Sequence, residues 1–366
     1  MNILVIKLSA IGDVIHALPV SRAVKETFPK ARLTWVVEPP ARDLLVDNPY
    51  IDEILVFEKK KFKASLRGFW ENFFPFRQKL RKGRFDVALD LQGLGKSAAI
   101  AFFSGAPRRY GTADMREGSG WVSKPVRGPN AKGHIVERYL DVARAAGCRV
   151  EKVEFPVAIS SRDRAIAKER LLAAGVPEGR PYAVLAVGAN WPNKRWPTRN
   201  YAALADWLFE RYILPVFVGG GALDENLMAD IERLALVPPI NLVGQTTLKQ
   251  LAAVIEGSCV MVGGDTGPGD LALVHAQVEA VGVGHGADDL HGAGGQPTDL
   301  DALVLRCLGP VRDVPVGAHQ EVAGVVRVEV HQHVGALAPV DDQRLPVLPP
   351  GRRAEGALAG RGVLGP

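Results

Sequence analysis

Short apolar runs alternate with helical stretches through the first 262 residues of this chain, and few folds tolerate that order. Runs at residues 2–6, 33–37, 53–56 and 87–91 read as strands, and 20–27, 42–46 and 95–103 between them read as helices. Strand, helix and strand in that rhythm make a parallel sheet with crossover helices. An amphipathic stretch at 134–146 closes this first series. A charged helix at 162–174 then leads through Gly175-Val176-Pro177 into a second one. It comprises strands at 182–187, 214–218, 240–242 and 260–262, with helices at 201–210, 223–236 and 248–255. No fixed-period repeat is present. The expected architecture is two Rossmann-like α/β halves facing a cleft, with the boundary between residues 155 and 180.

Composition narrows the class. The chain has 366 residues, 47% of them hydrophobic, long enough for two cores. No apolar run reaches about 18 residues, so no membrane span is expected. The first strand begins at once, which predicts no secretory signal. Cys148, Cys259 and Cys307 lie far apart, with no metal spacing and no disulfide framework, as in a reducing cytoplasm. The net charge of +5 points to an anionic partner without identifying it.

Strand ends carry the candidate chemistry. Lys7-Leu8-Ser9-Ala10-Ile11-Gly12-Asp13 follows the first strand, at the sheet edge where open α/β folds bind ligands. Asp13 there is either a helix cap or a carboxylate facing the crevice. In the second half, Gly188-Ala189 opens a loop that reaches Lys194 and Arg195, a candidate phosphate cradle. Gly219-Gly220-Gly221 is followed by Asp224 and Glu225, candidates for ribose hydroxyls. Asp265-Thr266-Gly267 ends a third strand with free N–H groups, a hydroxyl and a carboxylate. Each loop is weak evidence alone; three in series point to a nucleotide diphosphate. Residues 59–84 mix basic side chains, Lys61, Lys63 and Arg67 among them, with aromatic rings. They suit an anionic amphiphile, a nucleic acid, or an ordinary helix whose rings pack on the sheet.

These residues in this order resemble the lipopolysaccharide heptosyltransferases of glycosyltransferase family 9, the first heptosyltransferase of the pathway above all. The likeness covers residues 1–268. It rests on Lys7 through Asp13, Trp35-Val36-Val37-Glu38, Asp90-Leu91-Gln92-Gly93-Leu94-Gly95-Lys96-Ser97, Arg116-Glu117, 134–139, Lys194-Arg195-Trp196-Pro197 and Asp265-Thr266-Gly267-Pro268. The resemblance implies a GT-B fold and inverting transfer of heptose from ADP-L-glycero-D-manno-heptose to the Kdo sugar of Kdo-lipid A. It implies Asp13 as base, Lys194 on the diphosphate, and Asp265, Thr266 and Gly267 at the donor; the strand-end reading adds Gly188, Ala189, Asp224 and Glu225 around it. Ser9, Gly12, Lys61, Lys63, Arg67 and Arg116 are expected to meet the acceptor. No cofactor, metal or nucleic-acid partner is expected; the protein is expected in the cytoplasm, in peripheral contact with the inner membrane. His16 and His134 are read as structural. The alternatives are a relative acting on a later inner-core acceptor, or an inactive acceptor-binding remnant.

The likeness stops abruptly. Where the family carries a histidine two residues past Pro268, this chain has Asp270. Of the 98 residues from 269 to 366, all but Thr298 and Cys307 belong to ten types: Gly, Ala, Val, Asp, Glu, Leu, Pro, His, Gln and Arg. Those are the amino acids whose codons begin with G or C. A GC-rich gene read out of frame yields that alphabet, because its wobble bases become first bases. The expected organisation is therefore an acceptor domain at 1–165, an incomplete donor domain at 166–268 and an out-of-frame tail at 269–366. Such a chain is expected to be protease-labile beyond about residue 270, to leave strand 260–262 partly uncovered, and to have little activity. The nucleotide sequence across codons 260–280 tests this.

Overall fold

The computed structural model describes residues 1–63, 65–189, 194–264, 266–274, 279–283 and 290–292. The first half is a six-stranded parallel sheet of β1 (Asn2–Ile6), β2 (Arg32–Val37), β3 (Glu53–Val56), β4 (Val87–Asp90), β5 (Arg108–Thr112) and β6 (Lys124–Val126). Their order is β3-β2-β1-β4-β5-β6, which reverses beside β1. That reversal opens a crevice at the C-terminal ends of β1 and β4.

Helices cover both faces of this sheet. On one side lie α1 (Ile11–Thr27), followed in the chain by the one-turn α2 (Pro39–Arg42), and α6 (Ile135–Ala145). There Val14, Leu18, Tyr139 and Val142 pack on Ile3, Val5 and Trp35. On the other side lie α3 (Lys59–Lys63), α4 (Leu66–Lys82) and α5 (Gly95–Ser104). Leu80, Ile100 and Ala101 there pack on Leu4, Ile6 and Val36. Sheet strands buried on both faces read as continuous apolar runs, which is why β1, β2 and β4 were legible. β5 and β6 were not, because Arg108-Arg109-Tyr110 and Lys124-Pro125-Val126 carry polar residues at the sheet margin.

The second half repeats the plan. Its strands are β7 (Tyr182–Ala186), β8 (Leu214–Val218), β9 (Ile240–Asn241), β10 (Val260–Gly263), β11 (Glu279–Val283) and β12 (Leu290–Gly292). They run β9-β8-β7-β10-β11-β12, with β12 antiparallel. The helices are α7 (Ser161–Ala173), α8 (Thr198–Glu210), α9 (Ala222–Leu234), α10 (Leu248–Glu256) and α11 (Gly267–Val274).

Two expectations change here. α7 belongs to the second half: Ala167 and Leu171 share a core with Leu251, Val254 and Ile255 of α10, and Arg164 clasps Glu256 at 2.7 and 2.9 Å. The boundary therefore precedes residue 161 rather than falling at 165. The second sheet also continues past residue 268, since β11 pairs in parallel with β10 from Val260↔Glu279 to Gly263↔Gly282. Strand β10 is thus flanked on both sides rather than left at an edge. The rest of the expected tail, 293–366, lies outside the described residues.

The halves are joined by apolar and polar contacts. Ile15 of α1 and Leu44 pack in one cluster with Val184, Leu251 and Leu271 of the second half. The buried Lys249 ammonium donates to the Val46 carbonyl at 2.6 Å and to Asp47 at 3.1 Å, while its backbone N–H reaches Asp43 at 3.2 Å. An ammonium taken out of water needs such partners.

Candidate active site

Asp13 sits in the first turn of α1, directly after the end of β1. One carboxylate oxygen accepts the Ala10 N–H at 3.2 Å and lies 3.3 Å from the Lys7 ammonium. The carboxylate completes the capping of the helix, and its side chain is 44% exposed.

Lys7 is the residue that sequence reasoning left without a role. It is 3% exposed, with its ammonium donating to the Tyr139 hydroxyl at 2.7 Å and reaching the Leu91 carbonyl at 3.4 Å. Burial pulls its pKa below the usual lysine range, and the Asp13 charge pulls the other way. Burial also raises the Tyr139 phenol, with Asp13 adding to the effect. The signal was present: a lysine closing an apolar strand has nowhere to go but inward.

The loop is held from behind. Gln92 accepts the N–H groups of Leu8 and Ser9 at 2.9 and 3.1 Å. Gln92 and Gly93 in turn donate to Asp90 at 3.1 and 3.0 Å, and the Ser97 hydroxyl donates to its other oxygen at 3.0 Å. Burial raises the Asp90 pKa, and these three donors work against it. Sequence reading quoted this stretch without seeing that its amide fixes the Asp13 loop.

Across the crevice stands the start of α11. The Asp270 carboxylate packs so closely on Gly12 that a Cβ there would collide with it, and it pairs with His16 at 3.1 Å. Gly267 lies against Ile11; a Cβ at Gly267 would come within 2.8 Å of the Ile11 side chain. His16 also meets the His134 ring edge-on at 5.7 Å. His16, one helical turn beyond Asp13, thus faces the crevice, which the sequence reading did not foresee. Thr266 donates to the Gly264 carbonyl at 3.2 Å. Asp265 lies outside the described residues.

The other strand-end loops of the second half meet at Asp224. Its carboxylate accepts the Gly220 N–H at 2.8 Å and fills the space that side chains at Gly188 and Gly219 would need. Asp224 therefore ties the ends of β7 and β8 together. Glu225 follows it and lies beside Gly244. Lys194 is partly buried. Arg195 donates to the Ala189 carbonyl at 2.8 Å, and the buried Trp196 ring packs edge-on against Tyr201 at 4.9 Å.

The expected acceptor residues are less unified. Ser9 and Gly12 are in the Asp13 loop. Lys61 and Arg67 sit on α3 and α4 in local ion pairs with Glu58 and Glu71, each at 2.7 Å. The Lys63 side chain lies outside the described residues. Arg116 is exposed, its backbone N–H bonded to Gly93 at 2.9 Å. Among the described residues, no group of three or more His, Cys, Asp or Glu is placed to hold a metal ion. No described helix is long and apolar enough to cross a membrane.

Two sheets of one strand order, with their glycine-bearing strand ends opposed across a shared apolar joint, define the GT-B class of glycosyltransferase. The chain belongs to glycosyltransferase family 9 (heptosyltransferase), whose sequence profile matches residues 73–277. It is 28% identical to lipopolysaccharide heptosyltransferase 1 of Pseudomonas aeruginosa, over 74% of this chain and 75% of that one. It is 26% identical to lipopolysaccharide heptosyltransferase 2 of Escherichia coli, over 92% and 98%. Its fold matches an E. coli heptosyltransferase solved with ADP-2-deoxy-2-fluoro heptose: TM-score 0.61, 22% identity, 76% of this chain and 87% of that one.

Proposed function

We propose that this glycosyltransferase moves heptose from ADP-L-glycero-D-manno-heptose to the Kdo sugar of Kdo-lipid A, with inversion. The observation that carries the reading is the Asp13 carboxylate, buttressed by Lys7 and the Ala10 N–H and open to the crevice. In this reading Asp13 takes the proton of an acceptor hydroxyl as that oxygen bonds to the anomeric carbon. The bond from that carbon to the diphosphate breaks on the opposite face, which inverts the centre. ADP leaves with the bonding electrons, and Lys194 offsets the charge that grows on it. Gly188, Ala189, Thr266 and Gly267 supply the backbone around the donor, with Asp224, Glu225 and Asp265 toward its ribose and sugar. Relatives named for the first and the second heptosyltransferase both match, so the acceptor step is tested directly. Kdo-lipid A is expected to be glycosylated, and the same acceptor already bearing one heptose is not.

Asp270 bears on how well the donor binds. A carboxylate at the Gly12 loop opposes a diphosphate entering the same crevice. Asp270→Asn is expected to tighten ADP binding, measured by calorimetry at low salt. A weaker complex would mean that the His16–Asp270 pair supports the donor instead. The out-of-frame tail belongs to the same proposal, since the resemblance implies a histidine at this position.

The peripheral membrane contact rests on the basic, aromatic α3 and α4. Replacing Lys59, Lys60, Lys61 and Lys63 by Gln is expected to reduce binding to vesicles of acidic lipid, most at low salt. Vesicle binding unchanged at every salt concentration would leave the segment with a packing role alone.

A further inference from the structure

A cavity of about 560 Å³ opens between α3, α4 and α5 on the outer face of the first half. Its walls are Phe57, Phe62, Phe73, Phe76, Ile100 and Phe103. The rings lock one another: Phe57 lies 4.8 Å from Phe62 and 5.5 Å from Phe76, and Phe73 meets Phe103 edge-on at 4.9 Å. Phe57, Phe76 and Phe103 also pack against the sheet core beneath. They line a hollow of the size that small-molecule sites have.

The charge lining the hollow is mainly positive, with Lys59, Arg77 and Lys96 against the single acid Glu117. Lys59 and Arg77 line it and are exposed, with the Arg77 guanidinium 6.0 Å over the Phe103 ring. Residues 59–82 hold nine Lys and Arg against the single acid Glu71. Trp70 and Phe74, stacked at 5.5 Å, are 49% and 58% exposed on the same helix. An apolar hollow in a basic surface fits an apolar chain carrying an acidic head.

One end of the hollow lies beside the residues that hold the Asp13 loop. Leu94 and Lys96 line it there. Two residues before Leu94, Gln92 holds the Asp13 loop through Leu8 and Ser9. Lys96 pairs at 2.6 Å with Glu38, whose own N–H donates to the Leu8 carbonyl at 2.9 Å. We propose that this hollow is a binding site for one acyl chain of the anionic lipid acceptor, so that the tail is seated while the sugar head lies at Asp13. The proposal rests on the lipid-acceptor reading above and adds the site that would recognise the tail.

The test uses the full chain and monomeric alkyl phosphates below their micellar concentrations, with calorimetry as the readout. One dodecyl phosphate is expected to bind per chain. Each methylene from octyl upward should tighten binding about fourfold until the hollow is full, the equivalent of about 0.8 kcal/mol. Ala99→Trp, which fills the hollow from α5, should weaken dodecyl phosphate at least tenfold and leave ADP affinity unchanged. Arg77→Gln should weaken dodecyl phosphate but not dodecyl maltoside, which keeps the proposal testable if the tryptophan variant folds poorly. Non-saturable binding, no chain-length dependence, or an Arg77→Gln variant indistinguishable from the parent overturns the proposal. So does binding to acidic vesicles alone, which would make α4 a bilayer surface. Transfer to an acyl-free Kdo acceptor is scored separately. Its survival alongside failed alkyl binding sinks the hollow and spares the enzymatic reading.

Discussion

Asp13→Ala is expected to lower the rate of heptosyl transfer by about 10²–10⁴ and to leave ADP binding nearly intact. The factor is what a positioned general base contributes to a proton transfer. The carboxylate is held by the Ala10 N–H and the Lys7 ammonium, not by any donor-side group the structure describes. Its loss therefore removes proton acceptance and a cap worth about 1 kcal/mol. Asp13→Asn separates the two effects, because an amide oxygen still caps α1 but takes no proton. Single-turnover rates for both variants, with ADP affinity by calorimetry, check this. A near-normal rate in Asp13→Asn would leave the residue as a helix cap.

Lys194→Ala is expected to weaken ADP by roughly 10- to 150-fold, corresponding to about 1.5–3 kcal/mol for a hydrogen bond made by a charged group. Its neighbours are anchored, with Arg195 bonded to the Ala189 carbonyl and Trp196 sunk in the second core. Titration of ADP into parent and variant measures the effect. An unchanged affinity would move the diphosphate to another cation of the crevice.

How much of this was legible in the sequence follows from burial. Strands sandwiched between helices are apolar at every position, so Ile3 to Ile6 and Tyr182 to Ala186 announced themselves. The helix after β1 began earlier than its apolar pattern suggested, because Ile11, Gly12 and Asp13 form its first turn with Ala10 outside it. The Lys7–Asp13–Tyr139 cluster joins residues 132 positions apart, from Lys7 to Tyr139, and no local pattern encodes such a meeting. The His16–Asp270 pair is likewise a product of the two halves closing on each other. Asp224 illustrates the opposite case. Its glycine-rich setting suggested a sugar contact, and the structure adds a local bond from the Gly220 N–H and close packing on Gly188 that spacing alone does not reveal. The change of alphabet after residue 268 predicted a broken sheet, yet β11 takes its place beside β10, since Ala280, Val281 and Val283 still suffice for a strand.

The central claim is that this chain transfers heptose from ADP-heptose to Kdo-lipid A with Asp13 as the base. It is tested most directly by a single-turnover reaction with the protein in excess over labelled ADP-heptose, a format that registers even a slow enzyme. Acceptor mass and ADP release are followed together. The predicted result is ADP and heptosylated Kdo-lipid A in equal amounts, with neither formed by Asp13→Asn. ADP released without a heptosylated acceptor, or label transferred equally well by Asp13→Asn, would contradict it.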